Sequence, residues 1–459
     1  MMNPNGAAKR PGAEESKMKR QTTADDLTSL AQAAGVRFVR LQFADLFGTV
    51  KTVEIPVASL AQACTEGVLF DGSSIHGFAR VEESDMYLCP DTGTWVLLPW
   101  LDETGRPLAR MICDIKLPDG SPFAGDPRAI LKRAVADAQA CGFETLSLAS
   151  ELEFFLFPLD NDSQPVLVVD DRAGYFGNDQ EQAAARCRLD MANALAKLGI
   201  PLFGTHHETA PCQHEIDIAP LPVVQAADAL VTAKIAMRTV AREHGLYVSW
   251  MPKPFASFAG SGLHVRFQAK RAGMDDFRDV LCDGTVGCGS SFIAGLIDHA
   301  AALTAIANPL VNSYKRLQPG SEAPIYAFWS TRHPMPFVRA AMDANGAVSI
   351  ELRSPDPSCN PYLAFAAAIA AGTDGVRRRL TAPPALFQSA TAMTAEERFL
   401  RSIPRLPINL EDALAFLEED ETIRACLGEH AVTHYVGAKA AEWEAYSRTV
   451  HAWEHEQYL

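Results

Sequence analysis

The stretch "SELEFFLF" at 150–157 constrains the fold more than any other part of this chain. Side chains alternate along a strand, so Glu151 and Glu153 would share one face roughly 7 Å apart, while Leu152, Phe154 and Leu156 share the other. Two like charges converging in so apolar a segment need cations, protons or a water-filled cleft to be tolerated. Taken alone, the segment leaves both a charged cleft and an exposed sheet face open.

The 459 residues, 48% hydrophobic and 21% charged, can bury a large core and suit two domains or one large domain with a smaller partner. Ten cysteines without a CxxC pair argue for reduced thiols in a cytoplasm and against a structural zinc site. A net charge of -15 speaks against nucleic-acid or anionic-membrane partners, which require clustered Lys and Arg, and suits a cationic ligand better. The opening "MMNPNGAAKRPGAEESKMKRQ" is basic but has no apolar core, so it is neither a secretory signal nor a membrane anchor. Residues 1–25 read as a disordered tail. "YLAFAAAIAAG" at 362–372 is too short to span a bilayer; preceded by Asn360 and Pro361, an N-cap and first-turn pair, it predicts a buried helix.

"TADDLTSLAQAAG" predicts a short helix capped by Thr23. "VRFVRLQFADLFGTVKTVEIP" alternates around Phe47-Gly48 as a hairpin does, and short strands continue to about 120. "LPDGSPFAGDPR" at 117–128 marks the best boundary, dividing a β-rich domain over 26–120 from a larger one over 121–459. In the larger domain helices alternate with acid-bearing strands that predict a curved antiparallel sheet, and the chain turns mostly helical from about 394. The fold class is α+β.

In "HHETAPCQHEIDI", Glu208 and Glu215 are seven apart, which would put them on opposite faces of one straight strand. Pro211 supplies the turn that lets two strand ends present both inward. It also stands where a zinc-protease HExxH helix needs its second histidine, which excludes that motif. "GSGLHV" sets His264 just after a glycine pair, and "IELRSPDP" puts Glu351 and Arg353 on one face. Singly, His264 would read as a hydrogen-bonded core histidine and Glu351 with Arg353 as a surface pair. Five glutamates and one histidine in strand-like apolar contexts instead point to a hard-cation site. Oxygen-rich ligands select Mg²⁺ or Mn²⁺, and magnesium usually serves phosphate chemistry. With no GxxxxGK[ST] loop and no kinase glycine loop, a nucleotide would be held by metals and arginines.

From about residue 26 to the end, these motifs resemble the type I glutamine synthetases, which also share "FDGSSIHGF", "MPKP", "NSYKRLQPGSEAP", "ELRSPDPSCNPYLAFAAAIAAG" and the ending "VHAWEHEQYL" in the same order. The resemblance implies a β-grasp-like N-terminal domain and a catalytic domain built on a partial barrel surrounded by helices. It implies an ATP-dependent ligase that phosphorylates the γ-carboxylate of glutamate and passes the γ-glutamyl group to ammonia, or, alternatively, to an organic amine or from a glutamate analogue; a non-catalytic oligomeric paralogue is the third alternative, disfavoured by the six retained metal ligands. Two or three Mg²⁺ or Mn²⁺ ions per site are implied. Glu153, Glu208 and Glu215 would hold one ion, and Glu151, His264 and Glu351 another against the ATP phosphates. Gly260, His264, Arg316 and Arg353 would contact glutamate, and Arg339 the transferring phosphoryl group. Glu322 would close over the site as a flap residue. Asp45, donated by a neighbouring subunit, would join Tyr175 and Glu208 in an ammonium pocket. That sharing implies a homo-oligomer, and the resemblance a dodecamer of two stacked hexameric rings.

Three positions depart from the family pattern. Ala259 replaces an asparagine that helps hold the glutamate backbone, Pro334 falls where an arginine is expected, and Ser321 replaces an aromatic before the flap glutamate. One lost charge-assisted contact would cost roughly 2 to 4 kcal/mol of transition-state stabilisation if nothing replaced it. A missing aromatic at 321 would open volume beside the acceptor.

Overall fold

The computed structural model describes residues 23–73, 75, 77, 85–178, 182–271, 277–281, 287–333, 335–344 and 346–459. Most of the expected tail, and Pro334, lie outside the described residues. The first helix, α1 (Ala24–Ala33), begins inside the stretch assigned to the tail. Its start is a capping box: the Asp26 amide donates to Thr23 Oγ1 (3.2 Å) and the Thr23 amide to Asp26 Oδ2 (3.0 Å). Ordered chain therefore begins by Thr23 rather than after residue 25.

The N-terminal sheet contains β1 (Phe38–Ala44), β2 (Val50–Pro56), β3 (Val68–Asp71), β4 (Asp85–Pro90), β5 (Val96–Leu101) and β6 (Pro107–Lys116), with α2 (Leu60–Glu66) between β2 and β3. Strand order is β2-β1-β6-β4-β3, with β5 also against β6. The alternation read around Phe47-Gly48 is a hairpin that pairs Ala44 with Val50. Among the described pairs of this sheet the β1–β6 pair alone is parallel, as a β-grasp requires of a strand reached by a crossover. Leu27, Val39, Leu41, Leu60, Met86 and Met111 fill its core.

The larger domain opens with α3 (Pro127–Ala140), whose cap Asp126 accepts from the Arg128 amide. Then follow β7 (Phe143–Pro158), α4 (Ala183–Lys197), β8 (Leu202–His207), β9 (Gln213–Pro222), α5 (Val223–Glu243), β10 (Leu246–Ser249) and β11 (Leu263–Arg271). Next come α6 (Cys288–Asp298), α7 (Ala300–Ala307), α8 (Ser313–Arg316), β12 (Trp329–Ser330), β13 (Val338–Met342), β14 (Val348–Leu352) and α9 (Pro361–Arg378). The end is helical, as expected: α10 (Ala395–Leu400), α11 (Leu410–Glu419), α12 (Glu421–Leu427), α13 (Glu429–Ser447) and α14 (Ala452–Tyr458).

Eight described strands form one sheet in the order β12-β13-β14-β11-β7-β9-β8, with β10 beside β7. Every pairing is antiparallel except β12 with β13. Leu152, Phe154 and Leu156 join the main core, and on the other face of β7 Glu153 is buried too (8% exposed), so the exposed-face alternative fails. The predicted helix is α9, capped by the Asn360 side chain accepting from the Tyr362 amide (3.1 Å). It packs on α6 backbone to backbone: a Cβ at Gly375 would sit 2.1 Å from Ser291 O, and one at Gly295 2.1 Å from Ala371 O. Only glycine permits that approach.

Candidate active site

The sheet order sets charged residues in one row. Register pairs Arg339 with Glu351, Glu351 with Arg266, His264 with Glu151, Glu151 with Asp217, and Glu153 with Glu215. Period-two alternation on five adjacent strands places these side chains on the concave face; all but Glu351 line a cavity of about 700 Å³, and Glu351 is buried against its lining residues Arg266, Arg339 and Arg353. β8 ends at His207, the chain reverses through Ala210–Cys212, and β9 brings Glu215 back opposite His206 and beside Glu208, whose amide donates to Gln213 O at 2.8 Å. The break credited to Pro211 is completed by Cys212 in the left-handed region (φ +61°).

Glu151, His264 and Glu351 form one cluster. His264 Nδ1 lies 2.8 Å from Glu151 Oε2 and 3.9 Å from Glu351 Oε1. Arg266 hydrogen-bonds Glu151, and Arg353 donates to Glu351 Oε1 at 2.5 Å. Burial works to raise the Glu151 carboxyl, but the His264 hydrogen bond and the charges of His264, Arg266 and Arg353 pull it down to about 2. Glu153 sits between this cluster and the next: its Oε2 accepts from Gln213 Nε2 (3.0 Å) and the Gly262 amide (2.9 Å), and its Oε1 is 3.8 Å from His264 Nε2. A Cβ at Gly262 would lie 3.0 Å from His264 Nε2 and 3.1 Å from Glu153 Oε1, which explains the glycine pair read before His264.

The second cluster is Glu208 and Glu215 with His206 between them, each 3.5 Å from it. Burial, then the Glu153 charge, raises Glu208; burial, the Asp217 hydrogen bond and the charges of Glu153 and Glu151 drive Glu215 far above the usual carboxylate range. Acids this crowded demand a proton or a cation. Glu351 Oε2 and Asp217 Oδ1 are buried without a hydrogen-bond partner among the described residues. An oxygen-rich, mutually repelling set with orphaned oxygens fits hard divalent ions.

The other expected residues spread around the rim. Arg316 is buried, with Nη1 spent on Ser354 O (2.8 Å) and Nη2 reaching Arg353 O (3.3 Å). Gly260 accepts from Gln213 at 3.2 Å, and a Cβ there would strike Pro252 O at 2.2 Å. Arg339, Glu322 and the exposed Tyr175 line the cavity, as does Ala259, which backs onto Phe155, Phe157 and Cys212. Burial, then Glu208 and Glu215, raises the Tyr175 phenol.

Asp45, expected from a neighbouring subunit, does not line the cavity of its own chain: its Oδ1 accepts from the Phe47 (3.0 Å) and Thr49 (2.9 Å) amides and closes its own hairpin turn. Ser321 does not border the main cavity either; it lines a smaller chamber under the flap, because the chain turns at Glu322 (φ +46°) and directs the two neighbours apart. Arg266, Asp217, His206 and Gln213 were not singled out from sequence. Counting by twos from His264 and Glu215 reaches Arg266, Asp217 and Gln213; His206 needed the turn geometry.

Residues 35–118 match the family model for the glutamine synthetase beta-Grasp domain, and 124–458 that for the glutamine synthetase catalytic domain. The chain belongs to the glutamine synthetase family. Glutamine synthetases of Staphylococcus aureus and Staphylococcus epidermidis are each 42% identical to it over 442 residues, 96% of this chain and 99% of theirs. A structure described as a GmaS/ADP complex superposes with a TM-score of 0.83 at 29% identity, covering 94% of this chain and 99% of that one; apo GmaS gives 0.81. As a member of the glutamine synthetase family, the chain is an ATP-dependent ligase. The family generally uses divalent metal ions. No single helix among the described residues is long and apolar enough to cross a membrane.

Proposed function

We propose that this ligase phosphorylates the γ-carboxylate of glutamate with ATP and transfers the γ-glutamyl group to ammonia. The observation that carries the reading is the single row of acids, histidine and arginines across β13, β14, β11, β7 and β9, open to one cavity. Glu151, His264 and Glu351 would hold one Mg²⁺ or Mn²⁺, and Glu153, Glu208 and Glu215 another, with a third ion per site as the family resemblance allows. Bound ions would supply the positive charge that offsets phosphate oxygens. Arg339 orients and neutralises the phosphoryl group, Arg353 and His264 the glutamate carboxylates, while Arg316 and Gly260 shape the wall behind them. Glu208 and Tyr175 bind ammonium, a carboxylate takes its proton, and Glu322 excludes water from the acyl phosphate. Asp45 would complete the acceptor side only from a second copy, so we propose a homo-oligomer, a dodecamer of two hexameric rings, acting in the cytoplasm.

A second reading takes an organic primary amine as acceptor. It is favoured by Ser321 and the chamber it lines beneath the flap. Phosphate release with ATP and glutamate, measured against ammonium and a panel of primary amines, tests both. Turnover with ammonium supports the first reading; turnover only with amines replaces it by the second; no release with any acceptor overturns both.

A further inference from the structure

Two cavities meet at the flap. The larger holds the charged row; the smaller, about 160 Å³, lies beneath the flap, and Glu322 and Met335 line both. Its walls are carbon-rich: Ile325, Phe328 and Ala390 are all buried, and Phe328 and Ala390 belong to a hydrophobic cluster with Leu386 and Met393. Glu322 is the one charged residue in its described lining. His333 stands edge-on to Phe328 (5.6 Å, 78°), its Nδ1 accepts the Met335 amide (3.0 Å), and burial lowers its pKa, so it offers an ammonium no opposing charge. Gln318, Ser321, Ser389 and Thr391 add uncharged polar groups at its edges, so an acidic mouth opening onto a buried apolar wall is the complement of a cation with a hydrocarbon tail.

We infer that this chamber is a subsite for the apolar substituent of a primary-amine acceptor, with the ammonium held at the Glu322 mouth and the tail passing Met335. The inference rests on the γ-glutamyl transfer proposed above. The amine enters as R–NH3⁺ and one proton passes to a mouth carboxylate. The freed lone pair forms the C–N bond at the γ-carbonyl carbon, and the C–O bond to phosphate breaks with its electron pair. The second nitrogen proton leaves with the departing phosphate. An apolar cavity of about 150 Å³ admits benzene, so substituents up to a six-carbon ring fit the space. Each buried methylene should improve kcat/KM by about fourfold until the chamber is full.

The test compares kcat/KM for methylamine, n-butylamine and benzylamine with that for ammonium, using the full-length chain and the variants Ser321→Phe, Ala390→Phe and Ala390→Leu. Because each ratio comes from one preparation, loss of folded enzyme cancels. Native enzyme should favour n-butylamine over methylamine, and chamber-filling variants should lower the butylamine-to-ammonium ratio about tenfold or more. A ratio unmoved in every variant, or a native enzyme that uses ammonium but none of the amines, overturns the inference and leaves the ligase reading standing. No phosphate release even with ammonium defeats the ligase reading itself.

Discussion

Glu215 carries the heaviest electrostatic load in the cavity. Burial, Asp217 and the neighbouring Glu153 and Glu151 all push its carboxyl upward, so removing its charge should relieve the ion-free protein while removing a ligand. Glu215→Gln is expected to raise the unfolding midpoint in excess chelator by about 1 to 3 °C and to abolish most of the gain that Mg²⁺ gives the native protein. Activity should fall on the order of 10² to 10³-fold. Scanning calorimetry with chelator and with Mg²⁺ reads this; native-like Mg²⁺ stabilisation in the variant would remove Glu215 from the ion site. At this scale much was legible, because alternation ties Glu151 to Glu153 and the broken spacing ties Glu208 to Glu215. Alternation from His264 reaches the face of Arg266 too, but not its partner: that Arg266 lies opposite Glu351 on β14 is a cross-strand register, invisible in a single strand. Asp45 was legible only as part of a resemblance, and in its own chain it closes a turn.

Between elements, His299 joins the break separating α6 and α7 to two distant helices. Its Nδ1 lies 2.6 Å from Asp420 and its Nε2 3.1 Å from Asp374, which Arg378 also meets at 2.9 Å. Burial opposes the imidazolium, but both aspartates favour it, and the net effect raises its pKa above the ordinary 6.5. A raised folded pKa means that the stabilisation is full below 6.5 and is lost as pH rises through the folded value. The cost of His299→Gln should therefore be largest in mild acid and shrink in alkali. Urea unfolding of native and variant protein on both sides of that window measures it, and an equal cost at both pH values contradicts the assignment. α9 itself was readable from its cap and apolar run. Its glycine seam with α6 and the His299 bridge were not, because they join residues 75 and more positions apart.

For the whole molecule, the decisive contact between domains is Arg128, which lies within the stretch read as the boundary. Its buried guanidinium meets Asp91 (2.8 Å) and Asp114 (2.6 Å) of the N-terminal domain and Asp228 (2.9 Å) of α5. Arg128→Met would take the shared cation from all three, leaving, among the described residues, only Lys132 (2.6 Å) to Asp114 and only the Tyr362 hydroxyl (2.7 Å) to Asp228, and cost about 3 to 5 kcal/mol. Chemical denaturation reads the loss, and a cost under about 1 kcal/mol would show that the domains are held otherwise. The composition break was legible, whereas the clamp spanning it depends on aspartates far apart in sequence. The central claim, that the row of acids and arginines activates the γ-carboxylate of glutamate with ATP, is tested most directly by isotope transfer. Glutamate labelled with ¹⁸O in its γ-carboxylate, supplied with ATP, Mg²⁺ and ammonium, should yield phosphate carrying one ¹⁸O from that carboxylate. Amide product accompanied by unlabelled phosphate would contradict it.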